Sequence, residues 1–245
     1  MTETNENIIE VRNLIKKFGN FTANDNLTFA VKKSEIFGFL GANGAGKTTA
    51  IKILCGLAKP TSGLVKVAGY DVYRETELIK KNIGYMSQKF SLYEDLTIIE
   101  NIRFYAGIYG MIHNEIKEKT EYFIEKFRLN KIRNTLIKDI PLGWKQKLAF
   151  LVAIFHNPKI VFLDEPTSGV DPFTRRQFWE LIYQTANDGI TIFVTTHYMD
   201  EAEYCNRICI LADGRIKALD SPAELKNKHN VTTIEEVFVK LARNN

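Results

Sequence analysis

One octapeptide limits what this chain can fold into more than any other feature: Gly41-Ala-Asn-Gly-Ala-Gly-Lys-Thr48. It fits the pattern G-x-x-x-x-G-K-[ST]. It follows an apolar, strand-like run, Ile36–Leu40, and precedes a helical run, Thr49–Leu57. A strand, a glycine-rich turn and a helix in that order make an anion cradle. Glycines let the backbone wrap with its N–H groups inward, and the helix presents unpaired amides and a positive dipole end. The predicted cradle is Gly41, Asn43, Gly44, Ala45 and Gly46, followed by Lys47, Thr48 and Thr49. Lys47 supplies a point charge for β- and γ-phosphates, and Thr48 a hydroxyl for Mg²⁺.

A second apolar run, Lys159 to Leu163, ends in two carboxylates, Asp164 and Glu165. Asp164, at a strand end, is placed to hold Mg²⁺ through its water shell. Glu165 is placed to polarise a water for attack on phosphorus. Further short β-rich runs lie at Ile8–Val11, Leu64–Val67, Ile83–Tyr85, Thr191–Thr195, Arg207–Leu211 and Arg215–Leu219. Several are continuously apolar, the mark of strands buried on both faces of a largely parallel sheet. Helical patterns between them predict an α/β fold with crossover helices.

The middle of the chain differs. Ile98, Ile102, Tyr105, Tyr109 and Ile112 make one apolar helical stripe, and helices are predicted near Glu115–Arg128 and over Lys145–Phe155. This predicts one domain over 1–245. Its α/β core spans 1–90 and 156–220, split by a helical subdomain, 91–155, and followed by a helical extension, 221–245. In that extension Thr233 and Glu236 have capping-box spacing. The 245 residues carry 33 Lys+Arg against 29 Asp+Glu, a net +4, which is too mild for a dedicated nucleic-acid surface. No apolar run approaches the ~18 residues of a membrane span, and Met1–Glu10 has no apolar signal core. The expectation is a cytosolic protein unless a partner holds it at a membrane. Cys55, Cys205 and Cys209 suit neither a disulfide framework nor a zinc site and are expected as buried, reduced thiols.

With these residues in place, the chain resembles the ATP-binding cassette (ABC) family over roughly Ile8–Leu219. Phe18, in Lys-Lys-Phe-Gly, sits where the family has an aromatic that stacks on adenine. Gln88, in Tyr-Met-Ser-Gln, is similar to the Q-loop glutamine that contacts Mg²⁺ and links to a membrane partner. Ser168-Gly-Val-Asp171 is similar to the D-loop that crosses a dimer interface. His197, in Thr-Thr-His-Tyr-Met-Asp-Glu-Ala-Glu, is similar to the switch histidine that reads the γ-phosphate. The resemblance implies a P-loop NTPase fold with an N-terminal antiparallel β portion, a mainly parallel sheet and an inserted helical subdomain. It also implies ATP and Mg²⁺ as ligands, with Lys47, Glu165 and His197 at the chemistry and Thr48, Gln88 and Asp164 at the metal.

One loop departs from the family. Where Leu-Ser-Gly-Gly-Gln is usual, this chain has Ile140-Pro-Leu-Gly-Trp144. Pro141 replaces the serine and has neither hydroxyl nor N–H, Leu142 replaces a glycine, and Gly143 is retained. A similar Pro-Leu-Gly-Trp-Lys-Gln variant belongs to a subgroup of multidrug-type exporters. In this family two cassettes pack head to tail, so the loop would serve the nucleotide of a second cassette. Either a homodimer with two weakened interfaces or a heterodimer with one is expected. The resemblance implies an ATPase subunit of an exporter, peripheral on the cytoplasmic side of the membrane. It would dock to a separate integral membrane permease subunit near Gln88–Leu96, through Phe90, Leu92 and Tyr93. The alternatives are a soluble ATPase acting on nucleic acid or ribosomes, which the mild charge disfavours, and an ATP-binding regulator with little hydrolysis.

Overall fold

A computed structural model of the protein describes residues 7–88 and 92–243. The described chain begins with a hairpin, β1 (Asn7–Phe18) and β2 (Phe21–Lys32), followed by β3 (Ile36–Leu40) and α1 (Lys47–Leu54). Next come β4 (Ser62–Val67), β5 (Tyr70–Asp71), α2 (Thr76–Asn82) and β6 (Ile83–Met86). Three helices follow: α3 (Ile98–Ile108), α4 (His113–Lys126) and α5 (Leu142–Ile154). The chain then returns to β7 (Ile160–Asp164), α6 (Pro172–Asn187), β8 (Thr191–Thr196), β9 (Arg207–Ala212), β10 (Arg215–Asp220), α7 (Pro222–His229) and α8 (Ile234–Arg243).

Two sheets form. An antiparallel one has the order β2-β1-β4-β5, and the larger has the order β10-β9-β3-β8-β7-β6. In the larger sheet every pair from β9 to β6 is parallel, and β10 adds an antiparallel edge. Side chains of the parallel strands sort by parity, because both faces are covered. Phe37, Phe39, Phe162, Phe193, Cys209 and Leu211 join the core shared with the antiparallel sheet and α1. Leu40, Val161, Leu163, Ile192, Val194, Ile208 and Ile210 join the core shared with α3 to α8. Phe193 is the hub of the first core, with ring centroids 5.5 Å from Phe37, 5.3 Å from Phe39 and 5.4 Å from Phe162.

The expected apolar stripe of α3 stops early. The helix ends at Ile108, Gly110 takes φ 78°, and Ile112 stands exposed just before α4. Glycine in the left-handed region ends a helix because it lacks the Cβ that opposes that turn. Thr97 opens α3 with a capping box: Glu100 N–H donates to Thr97 Oγ1 at 3.3 Å and Thr97 N–H donates to Glu100 Oε2 at 2.8 Å. The box at Thr233 and Glu236 is present too, at 3.2 and 3.1 Å. α5 begins at Leu142, three residues before the expected Lys145, with Pro141 as its N-cap. All three cysteines are free and buried, and burial pushes their thiols up. Among the described residues, no helix is long and apolar enough to cross a membrane.

Candidate active site

Four neighbouring parallel strands deliver their carboxyl ends to one edge of the sheet. The chain leaves β3 into the Gly41 turn, β6 towards Gln88, β7 into Glu165 and β8 into His197. Open α/β sheets bind ligands at this edge, so residues far apart in sequence meet without special folding.

The glycine turn fits only because two positions lack a side chain. A Cβ on Gly46, which has φ 101°, would lie 2.3 Å from Ala23 O. A Cβ on Gly41 would lie 2.4 Å from Leu211 O. Asn24, fully buried, holds the turn from β2: its Nδ2 donates to Gly46 O at 3.1 Å, while its Oδ1 is buried without a hydrogen-bond partner. Ala45 N–H closes the turn on Ala42 O at 3.2 Å.

Above the turn lies a cavity of about 480 Å³, lined by Phe21, Ala23, Asn43, Gly44, Gly46, Lys47, Thr48, Thr49, Gln88 and Glu165. Lys47 Nζ donates to Gly41 O at 2.7 Å and to Ala42 O at 3.2 Å, and lies 3.4 Å from Glu165 Oε1. The other carboxylate oxygen, Glu165 Oε2, accepts from Gln88 Nε2 at 3.0 Å and lies 2.9 Å from His197 Nδ1. One buried carboxylate thus gathers three of the predicted residues. Glu165 adopts φ 52°, a left-handed backbone costing a non-glycine residue about 1–3 kcal/mol. Its N–H is anchored to Thr195 O at 3.2 Å and Thr195 Oγ1 at 3.1 Å.

Asp164, the last residue of β7, immediately precedes Glu165. Burial pushes its carboxyl above the usual carboxylate range and nearby Glu165 adds to that. Hydrogen bonds from Thr195 and Thr48 and the charge of Lys47 act against the rise. Thr195 Oγ1 donates to Asp164 Oδ1 at 2.8 Å. The donor set suits Mg²⁺. Thr48 brings a hydroxyl and Gln88 an amide to the cavity wall, and Asp164 ends the strand just before Glu165. A hard cation wants such oxygens, and Mg²⁺ takes one or two from protein and the rest from water and phosphate. Among the described residues no cluster of three His, Cys, Asp or Glu could hold a metal alone.

Some of the expected site residues stand away from this cavity. Phe18 does not line the cavity; the ammonium of Lys16 sits over its ring at 4.8 Å. Its cross-strand partner Phe21 does line it, exposed by 63%. Directly opposed residues of a hairpin project from one face, and of this pair Phe21 is the one on the cavity wall. Gly143 and Asp171 line a different cavity, of about 630 Å³, between the start of α5 and the start of α6. There Asp171 caps α6, accepting from Thr174 N–H at 3.0 Å and Thr174 Oγ1 at 2.6 Å. A Cβ on Gly143 would lie 2.5 Å from Thr174 Cγ2. Leu142, Trp144 and Phe173 are exposed around this second cavity. Sequence reasoning missed Phe21 and Asn24, which belong to no spaced motif, and gave no role to Thr195, which opens the run that carries His197.

A phosphate cradle at the head of a helix, an ammonium within it and an acidic strand end beside it define a P-loop nucleotide-binding core. The comparisons sharpen this. A family model described as "ABC transporter" matches residues 24–168. A probable multidrug ABC transporter ATP-binding protein, YbhF of Escherichia coli (strain K12), is 46% identical over 241 residues, covering 96% of this chain and 42% of the relative. The linearmycin resistance ATP-binding protein LnrL of Bacillus subtilis (strain 168) is 34% identical over 233 residues, covering 95% of this chain and 75% of that protein. A solved ATP-binding subunit of an ABC transporter superposes with a TM-score of 0.85 at 28% identity, covering 96% of this chain and 99% of the other. The chain belongs to the ABC transporter family and carries its ATP-binding domain. It spans less than half the length of the E. coli relative.

Proposed function

We propose that this chain binds ATP with Mg²⁺ in the Gly41–Thr49 cradle and hydrolyses it beside Glu165. On this reading it is the ATP-driven subunit of an exporter, peripheral on the cytoplasmic face of the membrane. The observation that carries the reading is the single buried carboxylate of Glu165, shared by Lys47, Gln88 and His197. A γ-phosphate draws the Lys47 ammonium off Gly41 O and Glu165, and so frees a carboxylate oxygen to accept a proton. Water between Glu165 and the γ-phosphorus then gives that proton to the carboxylate, its oxygen bonds to phosphorus, and the bond to the bridging oxygen of ADP breaks. Thr48, Gln88 and Asp164 would hold Mg²⁺, which neutralises charge on the phosphates when bound. His197 meets the γ-phosphate while its Nδ1 stays on Glu165.

Subunits of this family pair with membrane permeases and dimerise. In this chain the face for a separate permease is an apolar cleft of about 410 Å³ between the ends of α1 and α3, beside α2 and the start of β6. Leu57, Tyr85, Ile108 and Tyr109 line it, with Lys80 and Lys81 at its rim. Beside it Tyr93 and Phe104, both exposed, stack edge to face at 4.9 Å. Leu92 is buried and cannot serve as expected, and Phe90 lies outside the described residues. A second cassette covers the Leu142, Trp144 and Phe173 rim, and Gly143 and Asp171 then stand against its nucleotide. Relatives named for multidrug and linearmycin resistance support the export direction.

The test is phosphate release by the purified chain with Mg-ATP, alongside Glu165→Gln. Turnover that the variant loses, with ATP binding kept in calorimetry, is the expected result. No heat on titrating Mg-ATP into the wild-type chain would end the proposal.

A further inference from the structure

Another buried carboxylate, outside the cradle, is only half paired. Glu201 has no exposed surface. Its Oε1 accepts from the Thr167 hydroxyl and faces Arg175 Nε at 3.6 Å, while its Oε2 has no hydrogen-bond partner. Breaking or half-satisfying such a pair is costly, and an apolar side chain of similar volume would be cheaper. Stability alone therefore does not account for Glu201.

Its geometry does. Arg175 lies in the first turn of α6, its N–H bonded to Asp171 O at 2.9 Å. Glu201 on one side and Asp200, at 3.5 Å, on the other hold the guanidinium, which lies 4.1 Å over the Tyr198 ring. The Tyr198 ring in turn packs 4.2 Å from the His197 imidazole, and His197 Nδ1 is 2.9 Å from Glu165. Every step from Glu201 to Glu165 is a contact. The chain of contacts joins the Thr167–Asp171 loop and α6 to the loop after β8.

We propose that Arg175, clamped by Glu201 and Asp200, is a positioning residue that sets the His197 imidazole through the Tyr198 ring. The proposal rests on the reading of His197 as a γ-phosphate contact. A planar cation on an aromatic face fixes the ring's tilt as well as its distance, which lysine would not do. Misplacing a reacting group by about 1 Å can cost up to about 100-fold in rate, so a relay of this kind acts on turnover rather than on ATP affinity.

The experiment is steady-state ATP hydrolysis by the full chain carrying Arg175→Met, Tyr198→Ala or Tyr198→Phe, each alone and with His197→Ala. Tyr198 is half-buried, so its replacement opens no core cavity. The expected result is a fall in kcat of about tenfold for Arg175→Met and Tyr198→Ala, with KM for Mg-ATP changed by less than about twofold. Tyr198→Phe keeps the ring and retains most of the rate. In the His197→Ala background, Arg175→Met costs less than about twofold more, because the two act in series. An additive loss in that background, or a loss expressed in KM, overturns the relay. A deficient His197→Ala beside a wild-type Arg175→Met overturns the relay alone. A wild-type rate in His197→Ala overturns the role of His197 and the relay with it.

Discussion

The cradle cavity and the α5–α6 cavity are of similar size but opposite character. In the first, Lys47, Gln88 and His197 each bring a polar atom within 3.4 Å of the Glu165 carboxylate. In the second, Leu142, Trp144 and Phe173 stand exposed and the polar groups are spent internally. Asp171 is bound to Thr174, and Lys147 to Gln177. One face is set for a polyanion before it arrives. The other offers a helix start without a side-chain donor in its first position, because its N-cap is Pro141. A binding face and a reading face can thus be tuned separately within one chain.

The largest expected effect falls on the first face. Glu165→Gln lowers the rate of phosphate release by roughly 100-fold or more, as removal of a general base does, while nucleotide binding persists. A loss of less than about threefold would mean that the two faces do not divide the work as described. The second face is sharpened by gain. Pro141→Ser with Leu142→Gly restores a hydroxyl and room for close backbone approach. A hydrogen bond to a charged group is worth about 1.5–3 kcal/mol, so ATP-dependent self-association of the Glu165→Gln chain tightens about tenfold or more in sedimentation. An unchanged association constant would show that the loop is no handicap.

Smaller effects concern stability. Asp164 has its folded pKa raised by burial from 3.8. Its favourable contribution is therefore complete below that value and is lost as pH rises through the raised folded value. Asp164→Asn removes this dependence, so without nucleotide the variant melts above wild type at pH 7, and the gap closes as pH falls below the ordinary aspartate value. Equal melting temperatures at pH 7 would show that the Asp164 charge is fully compensated. On the second face, Asp171→Ala removes the cap of α6, worth about 1 kcal/mol, and lowers the melting temperature by about 2 °C. The same variant with unchanged melting would assign Asp171 to the interface alone.

The cradle was legible because its constraint is local: a strand, eight residues and a helix, contiguous in sequence. Glu165 was legible as the acidic end of an apolar run, Gln88 and His197 only through their resemblance to family motifs; the three meet because adjacent parallel strands end together. β2 was not legible. Its alternation is interrupted at Ala23-Asn-Asp-Asn26, where Asn26 takes φ 56°, and with it Asn24 and Phe21 were lost. The Arg175–Glu201 pair was invisible for another reason. The two residues lie on α6 and in the loop after β8, and only the packing of those elements brings them together. The stripe that ran on to Ile112 shows the reverse error, since periodicity continued past the glycine that ended the helix.

The left-handed backbone at Glu165 has an evolutionary consequence. Asparagine or glycine would occupy that conformation at lower cost than glutamate. Together with the buried charge at Asp164, this makes the first steps of decay downhill for the fold. On the function proposed above, a lineage released from selection for turnover would drift towards sturdier chains that still hold nucleotide, so a glutamate persists at this position only while cleavage is demanded.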